Sequence, residues 1–285
     1  MRVAKPTVLL AFLGPTLLLL IVLRIWPATA AFVDSLYAPR SDQISLDNYR
    51  FIFSDRVFQQ SLMVSAIYSL IVNPLQIAMA LMLALLLNTK TAMIGLWRTL
   101  VLLPAAVPLS VSAVIWGIGL RPDGPINALL MTMGIDPQRF LTSPDQALWS
   151  IILIVSWVGV GYWMTFLLAG LQEIPKSLYE AVRIDGANRW QTFRYVTLPQ
   201  LRRTLTFVLV ANTVANFLVF APVQILTQGG PRGSTNLIMN EIFTLGFVQG
   251  DRSSAAAATV VLVTVVLAVV LIQFRMMQAP EDNAA

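Results

Sequence analysis

Long apolar runs recur six times along the chain, at approximately 7–33, 58–88, 99–120, 147–170, 204–226 and 254–274. A hydrocarbon core of about 30 Å needs about 20 mostly apolar residues per crossing helix. The runs lack the alternation of a membrane β-barrel, and a helix satisfies its own backbone polar groups in lipid. The pattern therefore predicts an all-α polytopic membrane protein with six transmembrane helices, forming a single domain over 1–285.

One interruption differs from the others. Residues 172–203 form a polar loop, and within it 180–199 read EAVRIDGANRWQTFRYVTLP, an Arg-rich helical pattern between two apolar runs. Ser177 and Glu180 have the spacing of an N-terminal capping box. Asp185-Gly186 predicts a break, because Gly accepts the positive φ of a tight turn. Trp190, Phe193 and Thr197 then recur at helical spacing, and Pro199 is expected to end that second helix. The loop thus reads as a short helix–turn–helix at the membrane surface, where something soluble docks.

Charge orients the spans. With the N-terminus inside, the inner segments hold Arg2, Lys5, Lys90, Arg98, Lys176, Arg183, Arg189, Arg194, Arg202, Arg203 and Arg275. Against these eleven cations stand five acids, Glu173, Glu180, Asp185, Glu281 and Asp282, whereas the outer segments hold seven cations and nine acids. This bias places both termini and the 172–203 loop in the cytoplasm. The net charge of +5 then reflects topology. A basic helix–turn–helix tied at both ends to spans does not suit nucleic acid. At the N-terminus, Arg2, Lys5, the apolar run and Ala28-Thr29-Ala30 imitate a signal peptide. The length of the run and the position of Arg24 favour an uncleaved first span.

With 57% hydrophobic and 12% charged residues, the chain lies far from the composition of a soluble domain. It contains no Cys and no His, which removes disulfides, thiol catalysis, imidazole chemistry and zinc–histidine sites. Tyr aside, Arg24, expected near the outer end of span one, is the one ionisable side chain within the predicted spans. A proton-coupled carrier needs an acid or His at depth, and an intramembrane hydrolase needs a reactive group. GxxxxGK[ST] is absent, so no Walker loop binds ATP here. A pump built on this chain must draw its energy from another subunit. An ATP-independent secondary carrier or channel for a neutral solute is the alternative.

The polar groups inside the spans are neutral. Asn212 and Asn216 share one helix face, and Ser156, Gly159 and Tyr162 recur every three residues beside Trp157 and Trp163. Amides, a phenol and aromatic faces suit a sugar. Small residues and Asn equally serve helix–helix packing. Pro104, Pro108 and Pro222 are expected bend points. Gly229-Gly230-Pro231 predicts a turn where a helix leaves the membrane. The outer loops 121–146 and 228–253 suit a delivery protein or interfacial anchoring. The tail 275–285 is expected to be irregular and without chemistry.

A family resemblance joins these features. Glu180-Ala181-Val182, Gly186, and Val196-Thr197-Leu198-Pro199 after nine intervening residues resemble the EAA loop of binding-protein-dependent ABC importer permeases, with Val182 where the pattern has Ala. Leu46-Asp47-Asn48-Tyr49 with Phe58, Trp97-Arg98-Thr99-Leu100, Asp123-Gly124-Pro125-Ile126-Asn127 and Leu226-Thr227-Gln228-Gly229-Gly230-Pro231 follow in the order seen in sugar permeases. The last resembles the F-type half of maltose importers. The resemblance implies coupling to an ATPase through Glu180, Ala181, Val182, Asp185, Gly186, Leu198 and Pro199. It implies a sugar pocket near Val158, Gly159, Tyr162, Asn212 and Asn216, with Trp157 beside them. The implied partners are a second permease subunit of the G type, two copies of an ATP-binding subunit and an extracytoplasmic solute-binding protein, in a cytoplasmic (inner) membrane. ATP and Mg would sit on the ATPase subunits, with no cofactor or metal on this chain, which would be a transport subunit and not an enzyme. Whether the cargo is a sugar or a phosphorylated polyol stays open, although the scarcity of cations in the spans favours a neutral sugar.

Overall fold

A computed structural model describes residues 6–37, 43–89 and 91–277, with side chains from residue 12 onward. Arg2, Lys5, Lys90, Glu281 and Asp282 lie outside the described residues. Within them the chain is helical, and a lone antiparallel bridge joins Tyr37 to Ile44. Two compact units divide it, residues 1–59 with 242–264 and residues 60–241 with 265–285.

In the first unit, α1 (Pro6–Leu20) passes through a wide π turn at Ile21–Ile25 into α2 (Trp26–Ser35). Arg24 occupies that turn, in the C-terminal half of the first apolar helix. After α3 (Asp47–Ser54) comes the start of α4 (Arg56–Leu87). The Leu46-Asp47-Asn48-Tyr49 landmark has a structural task here. Buried Asn48 donates through Nδ2 to the Ser35 and Tyr37 carbonyls at 2.9 and 2.7 Å, and Tyr49 Oη lies 2.8 Å from Ser35 Oγ.

The second unit contains most of α4, α5 (Ile94–Leu102), α6 (Leu109–Gly119), α7 (Pro125–Thr132) and α8 (Pro144–Glu173). The polar loop follows as α9 (Lys176–Ile184), α10 (Arg189–Thr192) and α11 (Leu198–Gln200). Then come α12 (Arg202–Phe217), α13 (Ala221–Leu226), the start of α14 (Ile238–Phe243) and the end of α15 (Arg252–Met277). Arg275 therefore lies in the last turn of a helix that runs to Met277, which corrects the irregular tail expected from 275. The remainder of that tail, from 278, lies outside the described residues.

Among the described residues, five helices are long and apolar enough to cross a membrane: Phe12–Ser35, Arg56–Leu87, Pro144–Glu173, Arg202–Leu226 and Arg252–Met277. The expected third crossing is different. Ile94–Ala106 and Leu109–Gly119 meet at a bend of 93°. Val107 is extended (φ −90°, ψ 127°), as a residue before proline tends to be, and Pro108 then starts α6 without an N–H to continue the earlier helix. A straight third helix is thus replaced by a broken one. Pro222 has a smaller effect: it occupies the first turn of α13, after α12 has ended at Phe217.

Two apolar clusters build the second unit's core. One joins Ala80 and Ala84 of α4, Trp163, Met164 and Leu167 of α8, and Leu205 and Val208 of α12. The other joins Tyr68 and Val72 of α4, Ile151, Ile152 and Val155 of α8, and Val219 and Val223 further along. Close backbone approach is built in at Gly161, where a Cβ would overlap the Val101 carbonyl.

Candidate coupling loop and buried polar layer

Between the two apolar clusters, the same three helices place their polar groups. Asn73 and Gln76 of α4, Ser156 of α8, and Asn212 and Asn216 of α12 are all buried, with Asn212 at 1% and Asn216 at 3% exposure. Asn216 Nδ2 lies 2.7 Å from Asn73 Oδ1, 3.0 Å from Gln76 Oε1 and 3.1 Å from Asn212 Oδ1. Asn212 donates to Asn73 Oδ1 at 3.3 Å, Gln76 to Ser156 Oγ at 3.3 Å, and Asn73 to Ser69 Oγ at 2.7 Å. Tyr68 Oη donates to Asn216 Oδ1 at 3.4 Å. A buried amide is tolerated in an apolar setting only when its donors and acceptors are met. This layer meets them within one chain.

The two anticipated asparagines therefore come together, and they face into the subunit. Sequence reasoning missed Asn73, Gln76 and Tyr68. Their signal was present as amides and a phenol on one face of the α4 run, but no pattern within α4 points across to α12. The α8 candidates divide. Gly159 borders the layer, since a Cβ there would lie 3.2 Å from Gln76 Nε2. Val158 is half-buried, while Trp157 and Tyr162 present exposed surface. Trp157 packs edge-on to Trp116 with ring centres 5.7 Å apart, and Tyr162 packs edge-on to Trp163 and Phe166. The arrangement supplies a neutral hydrogen-bonding layer beside an aromatic face.

At the end of α8, Ile174 and Pro175 turn the chain into the loop. Pro175 is the N-cap of α9 and no side chain caps it, which corrects the expected Ser177/Glu180 box. The helix begins at Lys176, so Ser177 falls inside its first turn, too late to reach back as a cap. The reciprocal box occurs instead at α10: Asn188 Oδ1 accepts from Gln191 N at 2.9 Å, and Gln191 Oε1 accepts from Asn188 N at 2.8 Å.

The predicted break at Asp185-Gly186 is present and well defined. Gly186 has φ +78°, Ala187 N bonds to Val182 O at 3.1 Å, and Gly186 N bonds to Arg183 O at 3.2 Å. These paired bonds are a Schellman cap, which satisfies the last carbonyls of α9 through a left-handed residue. Pro199 does not end the second helix. A π turn at Phe193–Thr197 widens the chain, Leu198 N reaches Phe193 O, and Pro199 is carried in the first turn of α11. That widening relieves the contact a proline ring would otherwise make with the preceding turn.

The loop is anchored on one side only. Leu178, Tyr179 and Leu198 pack on the apolar cluster, and Tyr179 Oη lies 3.2 Å from Thr197 Oγ1. Glu180, Ala181, Asp185, Gly186 and Pro199 are exposed, and Val182 and Leu198 are half-buried. Ile184 at 86% and Trp190 at 66% exposure leave apolar surface uncovered at the turn. The sequence did not single out Ile184, which looks like the last apolar position of an amphipathic helix.

The remaining landmarks are structural fasteners. Arg98 donates to the Leu87 carbonyl at 2.8 Å, closing the end of α4. Asn127 is fully buried and binds the Arg121 and Gln138 carbonyls and the Gln138 N–H. Gly229 has φ +86° after α13 ends at Leu226, as expected for a turn leaving the span, and Thr227 Oγ1 lies 2.7 Å from Thr235 Oγ1 across that turn. Glu241, counted among the outer-loop acids, is buried and accepts from Asn236 at 2.7 Å.

Residues 53–279 match the family described as binding-protein-dependent transport system inner membrane component. The sn-glycerol-3-phosphate transport system permease protein of Agrobacterium fabrum is 32% identical over 287 residues, with 97% of each chain covered. The trehalose/maltose transport system permease protein MalF of Thermococcus litoralis is 32% identical over 267 residues, covering 92% of this chain and 90% of that one. Among solved structures, a chain of a bacterial alginate ABC transporter, in complex with an alginate pentasaccharide-bound periplasmic protein, matches with TM-score 0.85 at 25% identity. It covers 95% of this chain and 94% of that one.

Proposed function

Because the chain belongs to the binding-protein-dependent transport system inner membrane component family, we propose that it is the F-type half of a heterodimeric permease in an ATP-driven carbohydrate importer. Its work is transport, with ATP and Mg held by two partner ATPase subunits. A solute-binding protein delivers the cargo from outside. The relatives named for sn-glycerol-3-phosphate and for trehalose and maltose, and the alginate transporter, support a carbohydrate or polyol cargo. The absence of charged groups from the Asn73–Gln76–Asn212–Asn216 layer favours a neutral sugar over an anion.

One observation carries the coupling role. The α9–α10 loop is rigidly capped, packed to the core on one side, and exposes Ile184 and Trp190 on the other. Exposed apolar side chains flanked by charges suit a cleft in a soluble partner. On this reading the 172–203 loop lies in the cytoplasm with both termini. Closure of the ATPase pair pushes Glu180, Ala181, Val182, Asp185 and Gly186, and the rigid loop transmits that movement through Leu198 and Pro199 to α12. The equilibrium then shifts between inward-facing and outward-facing states. Trp157, Val158, Gly159 and Tyr162 would meet the sugar on the α8 face, with Asn212 and Asn216 behind them.

The test is uptake by the assembled transporter carrying Gly186→Pro or Glu180→Lys. Both variants should insert normally and fail to transport. Wild-type uptake by either, outward labelling of the loop, or transport that survives ATP depletion with ion gradients clamped would overturn the proposal.

A further inference from the structure

A cavity of about 820 Å³ lies beside the loop, between the end of α4 and α9–α10. Its lining changes character from one side to the other. Met82, Leu85 and Leu86 of α4 form an apolar wall, and Arg183 and Arg189 stand opposite with Tyr179. No carboxylate lines the cavity, and neither arginine forms an ion pair among the described residues.

The apolar wall continues beyond the cavity. Leu75, Met79, Met82 and Leu86 are all exposed and fall on one face of α4, a strip about 16 Å long at 1.5 Å per residue. That strip runs from the cavity toward the middle of a membrane-crossing helix, where a soluble protein cannot follow.

We propose that this cavity holds the headgroup of an anionic phospholipid, with an acyl chain along the α4 strip. The proposal rests on the reading of 172–203 as a loop at the cytoplasmic membrane surface. Guanidinium groups bind phosphate oxygens in paired, charge-assisted hydrogen bonds. The lipid bridges α4 and the loop, so its presence sets where the loop stands before the motor engages it.

The test uses the assembled transporter in nanodiscs of phosphatidylcholine with phosphatidylglycerol as the minor component, read by native mass spectrometry for retained phosphatidylglycerol. Each basic residue near an anionic surface contributes about 1 kcal/mol, so Arg183→Gln with Arg189→Gln should weaken retention about 30-fold. Arg183→Lys with Arg189→Lys should keep most of it. Both arginines are exposed, so the folded subunit should survive either pair of changes. Equal retention by wild type and the glutamine pair overturns the proposal. So does a photoreactive group at Met82 that cross-links the second permease half instead of lipid. If the glutamine pair sheds the ATPase subunits yet keeps the lipid, the arginines serve the motor and the lipid site is refuted while the permease assignment stands. If wild type itself binds no ATPase subunit, it is the proposed function that fails.

Discussion

Asn216 of α12 donates to Asn73 of α4 at 2.7 Å, in the buried interior between two apolar clusters. The donating nitrogen carries two hydrogens and has three acceptors within reach, on Asn73, Gln76 and Asn212. More than one bonding pattern is therefore available without moving any group into lipid. A helix that shifts during transport can exchange partners in such a layer while staying satisfied.

Removing the shared acceptor tests how tightly the layer holds the helices. Asn73→Ala takes away the oxygen to which both Asn212 and Asn216 donate. Interhelical hydrogen bonds in membranes average about 0.6 kcal/mol, whereas a stranded buried polar group costs about 1–3 kcal/mol. The second figure governs at Asn212, which stays buried and loses its acceptor, whereas Asn216 keeps Gln76 Oε1 and Asn212 Oδ1 for its two hydrogens. The purified transporter should melt at a lower temperature, and Asn73→Leu should do no better. An unchanged melting temperature would show that the layer contributes little to stability.

Two glycines in one helix should respond differently to the same added methyl. At Gly161 a Cβ would overlap the Val101 carbonyl, and backbone cannot yield as a side-chain tip can. Gly161→Ala should therefore destabilise by about 1–3 kcal/mol or prevent folding. At Gly159 the Cβ would meet Gln76 Nε2 at 3.2 Å, and the amide can move by a few tenths of an ångström. Gly159→Ala should fold and instead alter transport, read as a change in KM or in the range of sugars accepted. Equal melting temperatures for the two variants would contradict this contrast.

The spans and the loop were legible because each has a local cause. Apolar runs of membrane length and the Asp185-Gly186 break need no distant partner to be recognised. The break in the third crossing was only partly legible. Pro104 and Pro108 announced a bend, but its 93° angle depends on how α5 and α6 pack. Asn73 and Gln76 escaped notice because their meaning lies in residues some 140 positions away. Ser177 and Glu180 misled because capping depends on where the first turn starts, and with Pro175 as N-cap it starts two residues too early for them.

Surface residues on the loop should separate docking from folding. Ile184 and Trp190 are largely exposed, so Ile184→Asp and Trp190→Ala should leave the melting temperature of the permease unchanged. If they insert into a motor subunit, loss of a buried aromatic anchor costs about 2 kcal/mol or more, roughly 30-fold in affinity. The measurement is binding of the ATPase subunit to the reconstituted permease. Undiminished binding by both variants would move the contact elsewhere on the loop.

The sharpest dependence is expected at Gly186, whose φ of +78° places it in the left-handed region. An L side chain there costs about 1–2 kcal/mol, with Asn the best tolerated. Gly186→Asn should preserve the Schellman bonds from Gly186 N to Arg183 O and from Ala187 N to Val182 O, and with them most of the uptake rate. Gly186→Val should strain the turn, release the end of α9 and reduce uptake strongly, while Leu178 and Leu198 keep the rest of the loop on the apolar cluster. Coupling can be read as the ratio of sugar moved to ATP hydrolysed. A rigid lever loses transport per ATP when its turn loosens, so the ratio should fall in the order glycine, asparagine, valine. If all three residues give one ratio, the turn serves only to end a helix.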